Sequence, residues 1–242
     1  MQRYKKILIY ANNFTFGKDV PVRDLLQKHI NKPVYLGNDA NVAALGESIS
    51  GAAKGHDNAV MITLGTGVGG GIIIDGKIYE GYRSAGAELG HILLQHNGEK
   101  CSCGRKGCWE AYAAAPALIR QTKAAMEKNP ESKLHEFAEK EGKVSGRTAF
   151  SAARAGDKVA QEVVETYCEY VAEGLVDIVN VFRPEVIIVG GGLSNEGDYL
   201  ISRLKAFINK SSYGNYIHPE QVIVTATLGN DAGIIGAALL GK

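Results

Sequence analysis

Three of the chain's four cysteines, Cys101, Cys103 and Cys108, fall within eight residues, and His91 stands shortly before them. No other feature constrains the fold as much, because donor atoms so close in sequence must be given something to converge on or be kept apart. One imidazole and three thiolates form the four-ligand, tetrahedral set of a closed structural zinc site. The small turns Cys101-Ser-Cys-Gly104 and Gly107-Cys108 let the sulfurs meet. Free thiols or a redox pair are the competing reading. The fourth cysteine, Cys168, lies in a helical stretch and reads as a small buried hydrophobe. Glu88 and Glu110 flank the ligands, so folding around a metal would fix two carboxylates that could accept hydrogen bonds from a polyol. The plainer alternative for both is surface solvation.

Glycine is the second constraint, at 30 of 242 residues, against an average share of about 7%. The segment Leu64-Gly-Thr-Gly-Val-Gly-Gly-Gly71 lies between two expected strands. Backbone N–H groups there can approach an anion with no Cβ in the way, and Thr66 adds a hydroxyl. A bulged Gly-rich hairpin is the alternative. A Walker loop is excluded, since no Gly-Lys-Ser/Thr follows. Ile187-Ile-Val-Gly-Gly-Gly-Leu-Ser194 is a buried strand ending in glycines ahead of a helix, the position where nucleotides sit in open α/β sheets. Its alternative is a flexible strand-to-helix turn. Two such loops in one chain favour a nucleotide more than either does alone.

Leu36-Gly-Asn-Asp39 opens a small-residue helix. Asp39 could act as general base toward a bound hydroxyl, with Asn38 as a neutral donor and acceptor. On the residues alone the plainer reading is favoured, that Asp39 is only the N-cap of that helix.

The remaining composition mainly excludes. With 27 basic against 26 acidic residues, a net charge of +1, nothing calls for nucleic acid or an anionic membrane as partner. No apolar run approaches the roughly 18 residues of a membrane span, and the chain reads as cytoplasmic. The pattern predicts strands at residues 7–10, 34–36, 60–64, 69–74, 77–79, 185–189 and 222–225. An Asp75-Gly76 hairpin turn joins the fourth and fifth. Helices are expected at 22–30 and 40–48, through much of 116–181, and at 199–208 and 232–240. A meander followed by strands alternating with helices indicates a mixed α/β sheet.

Taken together and in order, Asn38-Asp-Ala-Asn-Val-Ala-Ala-Leu-Gly-Glu47, Gly65-Thr-Gly-Val-Gly-Gly-Gly71, Glu88-Leu-Gly-His91, Cys101-Ser-Cys-Gly-Arg-Lys-Gly-Cys-Trp-Glu110 and Val189-Gly-Gly-Gly192 resemble the ROK family of bacterial sugar kinases and sugar-responsive repressors. The resemblance implies an actin-like (ribonuclease H-like) two-lobed α/β fold. Residues 1–54 would form part of the small lobe and 55–228 the large lobe with its zinc loop at 91–108, while a helix in 229–242 packs back on the small lobe. It implies Asp39 as catalytic base toward a sugar hydroxyl attacking the γ-phosphate of Mg²⁺-ATP. Asn38, Glu88, His91 and Glu110 would hold the sugar, His91 also binding a structural Zn²⁺ with Cys101, Cys103 and Cys108. Thr66 and Gly67 would face the phosphates, and Gly191 and Gly192 the adenosine. The cysteine pattern is similar to that of the family's glucokinases and N-acetylhexosamine kinases, so glucose is the expected substrate, followed by N-acetylmannosamine or N-acetylglucosamine. A homodimer is expected. A sugar-sensing regulator and a noncatalytic sugar-binding remnant are the alternatives. The family's opening Asp-x-Gly-Gly-Thr motif, which handles ATP phosphates and Mg²⁺, does not occur in this sequence, which leads us to expect weak or absent turnover from this chain alone.

Overall fold

The computed structural model describes residues 20–216 and 219–241. The strand expected at 7–10 lies outside them. Among the described residues a five-stranded sheet runs in the order β3-β2-β1-β4-β5. Strands β1 (Ala59–Leu64), β2 (Val68–Ile74) and β3 (Lys77–Tyr79) form an antiparallel meander. Asp75 at φ 50° and Gly76 at φ 69° make the tight turn between the last two, the positive-φ pair that matches the twist of a hairpin. Strand β4 (Val186–Gly190) lies parallel to β1, and β5 (Val222–Thr225) parallel to β4.

The central strands read as continuous apolar runs because both of their faces are covered. Val60, Ile62 and Leu64 of β1, with Ile187 and Val189 of β4, join one core cluster. That cluster is roofed by α7 (Lys158–Phe182), whose buried stripe includes Tyr167, Val171, Leu175 and Val179. The alternate residues Ala59, Met61, Val186 and Ile188 face the other way, against Ala44 of α2 (Asp39–Ser50). Each buried Val, Leu, Ile or Met side chain contributes roughly 1.5–3 kcal/mol, and the α7 side, with the larger cluster, anchors the sheet more strongly than the alanine-rich α2 side. Helices α3 (Glu110–Ala113), α4 (Ala115–Lys128), α5 (Leu134–Lys140), α6 (Thr148–Arg154) and α8 (Asp198–Ser211) complete the α7 side. Helix α9 (Asp231–Leu239) crosses α2 so closely that a Cβ on Gly46 would sit 2.3 Å from the Ala232 carbonyl oxygen.

Two expected elements differ. Residues 34–36 form no strand, and none of the described strands runs beside them to accept a ladder. The helix expected at 22–30 ends as α1 (Val22–Gln27). There the Gln27 side-chain amide donates to the carbonyls of Ile30 (2.8 Å) and Lys32 (2.9 Å) and turns the chain out of the helix. Cys168 is buried within α7, where burial pushes its thiol up to about 12, as suits a small hydrophobe.

Candidate active site and metal-ligating cluster

The chain between β3 and α3 folds into a knot built on short-range bonds. Cys101 N–H donates to Arg105 C=O (2.9 Å) and Gly104 N–H to Cys101 C=O (3.0 Å), closing a tight turn over the first two cysteines. Gly107 at φ 80° then brings the strand back so close to Gln95 that a Cβ would lie 1.7 Å from its carbonyl oxygen. These turns carry the ligand atoms of His91, Cys101, Cys103 and Cys108 to within 4.8 Å of one another. A tetrahedral zinc with S ligands near 2.3 Å and N near 2.05 Å has edges of about 3.8 Å between sulfurs and about 3.6 Å from sulfur to nitrogen. Cys103 Sγ and Cys108 Sγ are 3.6 Å apart, and His91 Nδ1 is 3.6 Å from Cys101 Sγ. The donor set and its dimensions therefore fit Zn²⁺. Burial, then the neighbouring thiols, push Cys108 up to about 12, whereas a hydrogen bond from the Arg105 backbone holds Cys103 below the usual thiol range. Crowded thiols of this kind are stable as thiolates on a cation.

Trp109 fastens this loop to the core. Its ring is 0% exposed, and its Nε1–H donates to Tyr170 C=O at 2.8 Å. It occupies a notch in α7 at Gly174, where a Cβ would fall 2.1 Å from the ring.

The three successive glycines of β2 explain how the remaining pieces assemble. Gly69, Gly70 and Gly71 are paired in the sheet with Thr63, Ile62 and Met61. A Cβ on Gly71 would meet Ala44 Cβ at 2.5 Å and Ala40 C=O at 2.7 Å, so α2 lies almost on the backbone of that face. On the opposite face Gly70 would meet Leu89 at 2.6 Å, and Gly90 would meet Val68 C=O at 2.2 Å. The short 3₁₀ turn Leu89–His91 is pressed there, with Glu88 at its start. These glycines admit protein backbone and side chains instead of an anion. One bare strand is thus gripped between the helix that starts at Asp39 and the turn that carries Glu88 and His91.

Asn38, not Asp39, caps α2: its Oδ1 accepts from Asn41 N–H at 3.1 Å. That leaves the Asn38 side-chain NH₂ as its remaining polar group. Asp39, exposed in the first turn, accepts from Ala40 N–H through Oδ1 (2.9 Å), and among the described residues its Oδ2 carries no hydrogen bond. Glu88 is exposed, and Glu110 is half-buried at the start of α3. Both Glu110 oxygens are engaged: Oε2 accepts from Val68 N–H (3.1 Å) and Oε1 from Ser102 Oγ–H (2.8 Å).

The loops after β1 and β4 lie side by side, because Thr63 pairs with Gly190. Thr66 is exposed at the tip of the first, which is closed by Gly65 N–H donating to Gly67 C=O at 3.0 Å. Gly191, at φ 83°, crosses the end of β1 so tightly that a Cβ would stand 2.5 Å from Leu64 C=O. Among the described residues no atom lies within 4 Å of a Cβ built on Gly65 or Gly192.

Sequence reasoning missed Glu47. This carboxylate, 0% exposed in α2, accepts from Ala52 N–H (2.7 Å), Thr227 N–H (2.9 Å), Thr227 Oγ–H (3.2 Å) and Leu228 N–H (2.8 Å). It ties the helix bearing Asp39 to the loop after β5. The only signal was an acid in the middle of an otherwise small and apolar helix.

Comparison with known proteins gives this arrangement a context. Residues 1–242 match the ROK family. A glucokinase from Thermotoga maritima is 37% identical over 246 residues, which span 100% of this chain and 76% of the relative. The crystal structure of a ROK family glucokinase from Streptomyces griseus in complex with glucose and AMPPNP superposes with a TM-score of 0.87 at 36% identity, covering 98% of this chain and 77% of that one. A xylose repressor from Bacillus subtilis is 29% identical over 90% of this chain and 53% of its own length. The likeness to the solved kinase gives the five-stranded sheet and its helices the actin-like sugar-kinase fold expected from the sequence. Among the described residues no helix is long and apolar enough to cross a membrane.

Proposed function

The chain belongs to the ROK family and stands with its hexose kinases, and from that premise we propose that it transfers the γ-phosphoryl group of Mg²⁺-ATP to glucose, giving glucose 6-phosphate. The observation that carries the reading is the start of α2. Asn38 takes over the capping of the helix, so among the described residues the Asp39 carboxylate keeps one oxygen without a hydrogen bond, on a helix clamped against β2. In this reading Asp39 Oδ2 accepts the proton of the sugar 6-hydroxyl as that oxygen attacks the phosphorus in line. The Asn38 NH₂ and Glu88 bind neighbouring hydroxyls. His91, with Nδ1 turned to Cys101, offers Nε2 to the sugar. Glu110 supports the same pocket. Thr66 and Gly67 face the phosphates, and Gly191 with Gly192 lies on the adenosine side of the same end of the sheet. A Zn²⁺ held by His91, Cys101, Cys103 and Cys108 would supply structure, fixing the ring of His91 and the loop behind it.

Phosphoryl transfer, followed by coupled detection of ADP, tests the reading with glucose, N-acetylglucosamine and N-acetylmannosamine offered side by side. Glucose is expected to give the highest kcat/KM, with turnover below the ~10 s⁻¹ of a median enzyme. Asp39→Asn is expected to lower kcat by about 10²–10⁴-fold while glucose affinity stays within a few fold. Undiminished turnover in Asp39→Asn would remove Asp39 from the mechanism. The second reading, a sugar-responsive regulator, draws on the likeness to the xylose repressor. Saturable sugar binding with no phosphorylated sugar formed would favour it.

A further inference from the structure

The segment from Cys108 to Ala115 joins the metal-ligating loop to the glycine loop by bonds at both ends of that loop. Glu110 Oε2 accepts from Val68 N–H, immediately after Gly67, and Ala115 N–H donates to Gly65 C=O at 2.8 Å. Glu110 Oε2 stands so close to Gly67 that a Cβ there would lie 2.6 Å away. The other Glu110 oxygen is held by Ser102, which sits between the ligands Cys101 and Cys103 and donates from Oγ at 2.8 Å. Cys101 Sγ itself lies 3.7 Å from Glu110 Oε1. The base of this strut cannot drift, because the preceding residue, Trp109, is locked in the α7 notch. Glu110 is therefore a fixed carboxylate with one oxygen on the metal loop and the other on the glycine loop.

From this geometry we propose that metal occupancy of the His91, Cys101, Cys103 and Cys108 cluster and nucleotide binding at the Gly65–Thr66–Gly67 loop are thermodynamically coupled through Glu110, with Ser102 as the positioning residue. The proposal rests on the reading that this loop receives the phosphates. A bound cation fixes Cys101 and Cys103, and with them the Ser102 hydroxyl. Ser102 then holds Glu110 in the orientation that fastens Val68 N–H, so the loop is preformed when phosphate arrives. Without the cation the Ser102 bond is lost, Glu110 swings, and the loop must be ordered at the expense of binding.

Linkage makes the claim quantitative. If zinc raises nucleotide affinity by a factor, nucleotide must raise zinc affinity by the same factor. The full chain, zinc-loaded and metal-depleted, is titrated calorimetrically with Mg²⁺-AMPPNP. Zinc affinity is measured separately by competition with a chromogenic chelator, with and without saturating Mg²⁺-AMPPNP. Equal factors of about fivefold or more in both directions are expected, within the range usual for coupled sites. Ser102→Ala keeps every metal ligand and Glu110, and its factor is expected to fall to near one while its zinc still binds at one per chain. If Mg²⁺-AMPPNP binds but leaves zinc affinity unchanged, the coupling is refuted while the kinase reading stands. If Mg²⁺-AMPPNP binds neither form, both fall. A factor in Ser102→Ala equal to that of the unaltered protein would refute the route through Glu110.

Discussion

Replacing Glu47 by Gln removes one charge and changes almost no volume, which isolates what the buried carboxylate does. Its Oε1 receives two backbone donors, Thr227 N–H and Leu228 N–H, and its Oε2 receives Ala52 N–H and the Thr227 hydroxyl. The best orientation for Gln keeps the carbonyl oxygen on the first pair and turns the NH₂ toward the second. The Thr227 hydroxyl can rotate and accept, but Ala52 N–H cannot, and it is left facing another donor. One orphaned, desolvated backbone donor costs about 1–3 kcal/mol. For a chain of this size that corresponds to a fall in Tm of roughly 2–12 °C. Glu47→Ala orphans all three backbone donors and is expected to cost about 3 kcal/mol or more. Urea titration of the purified chain, read by circular dichroism, measures both. Thr227→Val, which loses only the hydroxyl, should cost about 0.5–1.5 kcal/mol. Combined with Glu47→Gln it should deviate from additivity by 0.5 kcal/mol or more, since the two share a bond. A Glu47→Gln protein within about 0.5 kcal/mol of the unaltered one would refute the claim that this carboxylate anchors the loop after β5.

Further outcomes follow from other features of the structure. Gly71→Ala drives a methyl against Ala44 and Ala40, costs about 1–3 kcal/mol of stability and, by displacing α2, lowers kcat on the order of 10²-fold. Gly233→Ala, inside α9 and with no described atom within 4 Å of the added carbon, is the control: it should stabilise by about 0.5–1 kcal/mol and leave kcat unchanged. Metal analysis should find one zinc per chain; Cys108→Ser should lose it, and Cys168→Ser should keep it. Burial opposes ionisation of Asp157, but hydrogen bonds from Ala160 N–H, Lys133 N–H and Ser132 Oγ–H outweigh it and hold the carboxyl below the usual range. The native pKa is thus the lower one, so the stabilisation is present above about pH 4, the unfolded value, and is lost as pH falls through the native value. Asp157→Ala should remove about 0.5–2 kcal/mol at pH 7 and progressively less in acid, seen as converging urea midpoints.

The metal cluster was legible in the sequence because its geometry is local. Three ligands and their turns occupy one short segment, so spacing alone implies convergence. The strands with both faces buried were legible for a similar reason, as continuous apolar runs. The glycines of β2 were not, because a missing side chain looks the same whether it makes room for a phosphate, for α2 or for Leu89. The Gly65–Thr66–Gly67 tip, by contrast, is closed by a bond of its own, Gly65 N–H to Gly67 C=O. Glu47 was hidden for another reason: three of its hydrogen bonds run to residues about 180 positions away in the chain. Periodicity in α2 could not distinguish a solvated acid from a buried one. Residues 34–36 have strand-like composition, yet a strand is a relation between two segments, and no described strand lies alongside them. The sequence offered Asp39 as cap of α2, but the capping bond is made by its neighbour Asn38.

The notch at Gly174 has an optical consequence. The chain contains one tryptophan, and that ring is sealed from water with its N–H on a helix carbonyl. All indole emission therefore originates between Cys108 and Glu110, at the junction of the metal loop and the glycine loop. Its neighbours in the chain are the metal-ligating Cys108 and Glu110, whose carboxylate contacts the glycine loop. The protein thus carries, unlabelled, a single indole fluorophore where those two loops join.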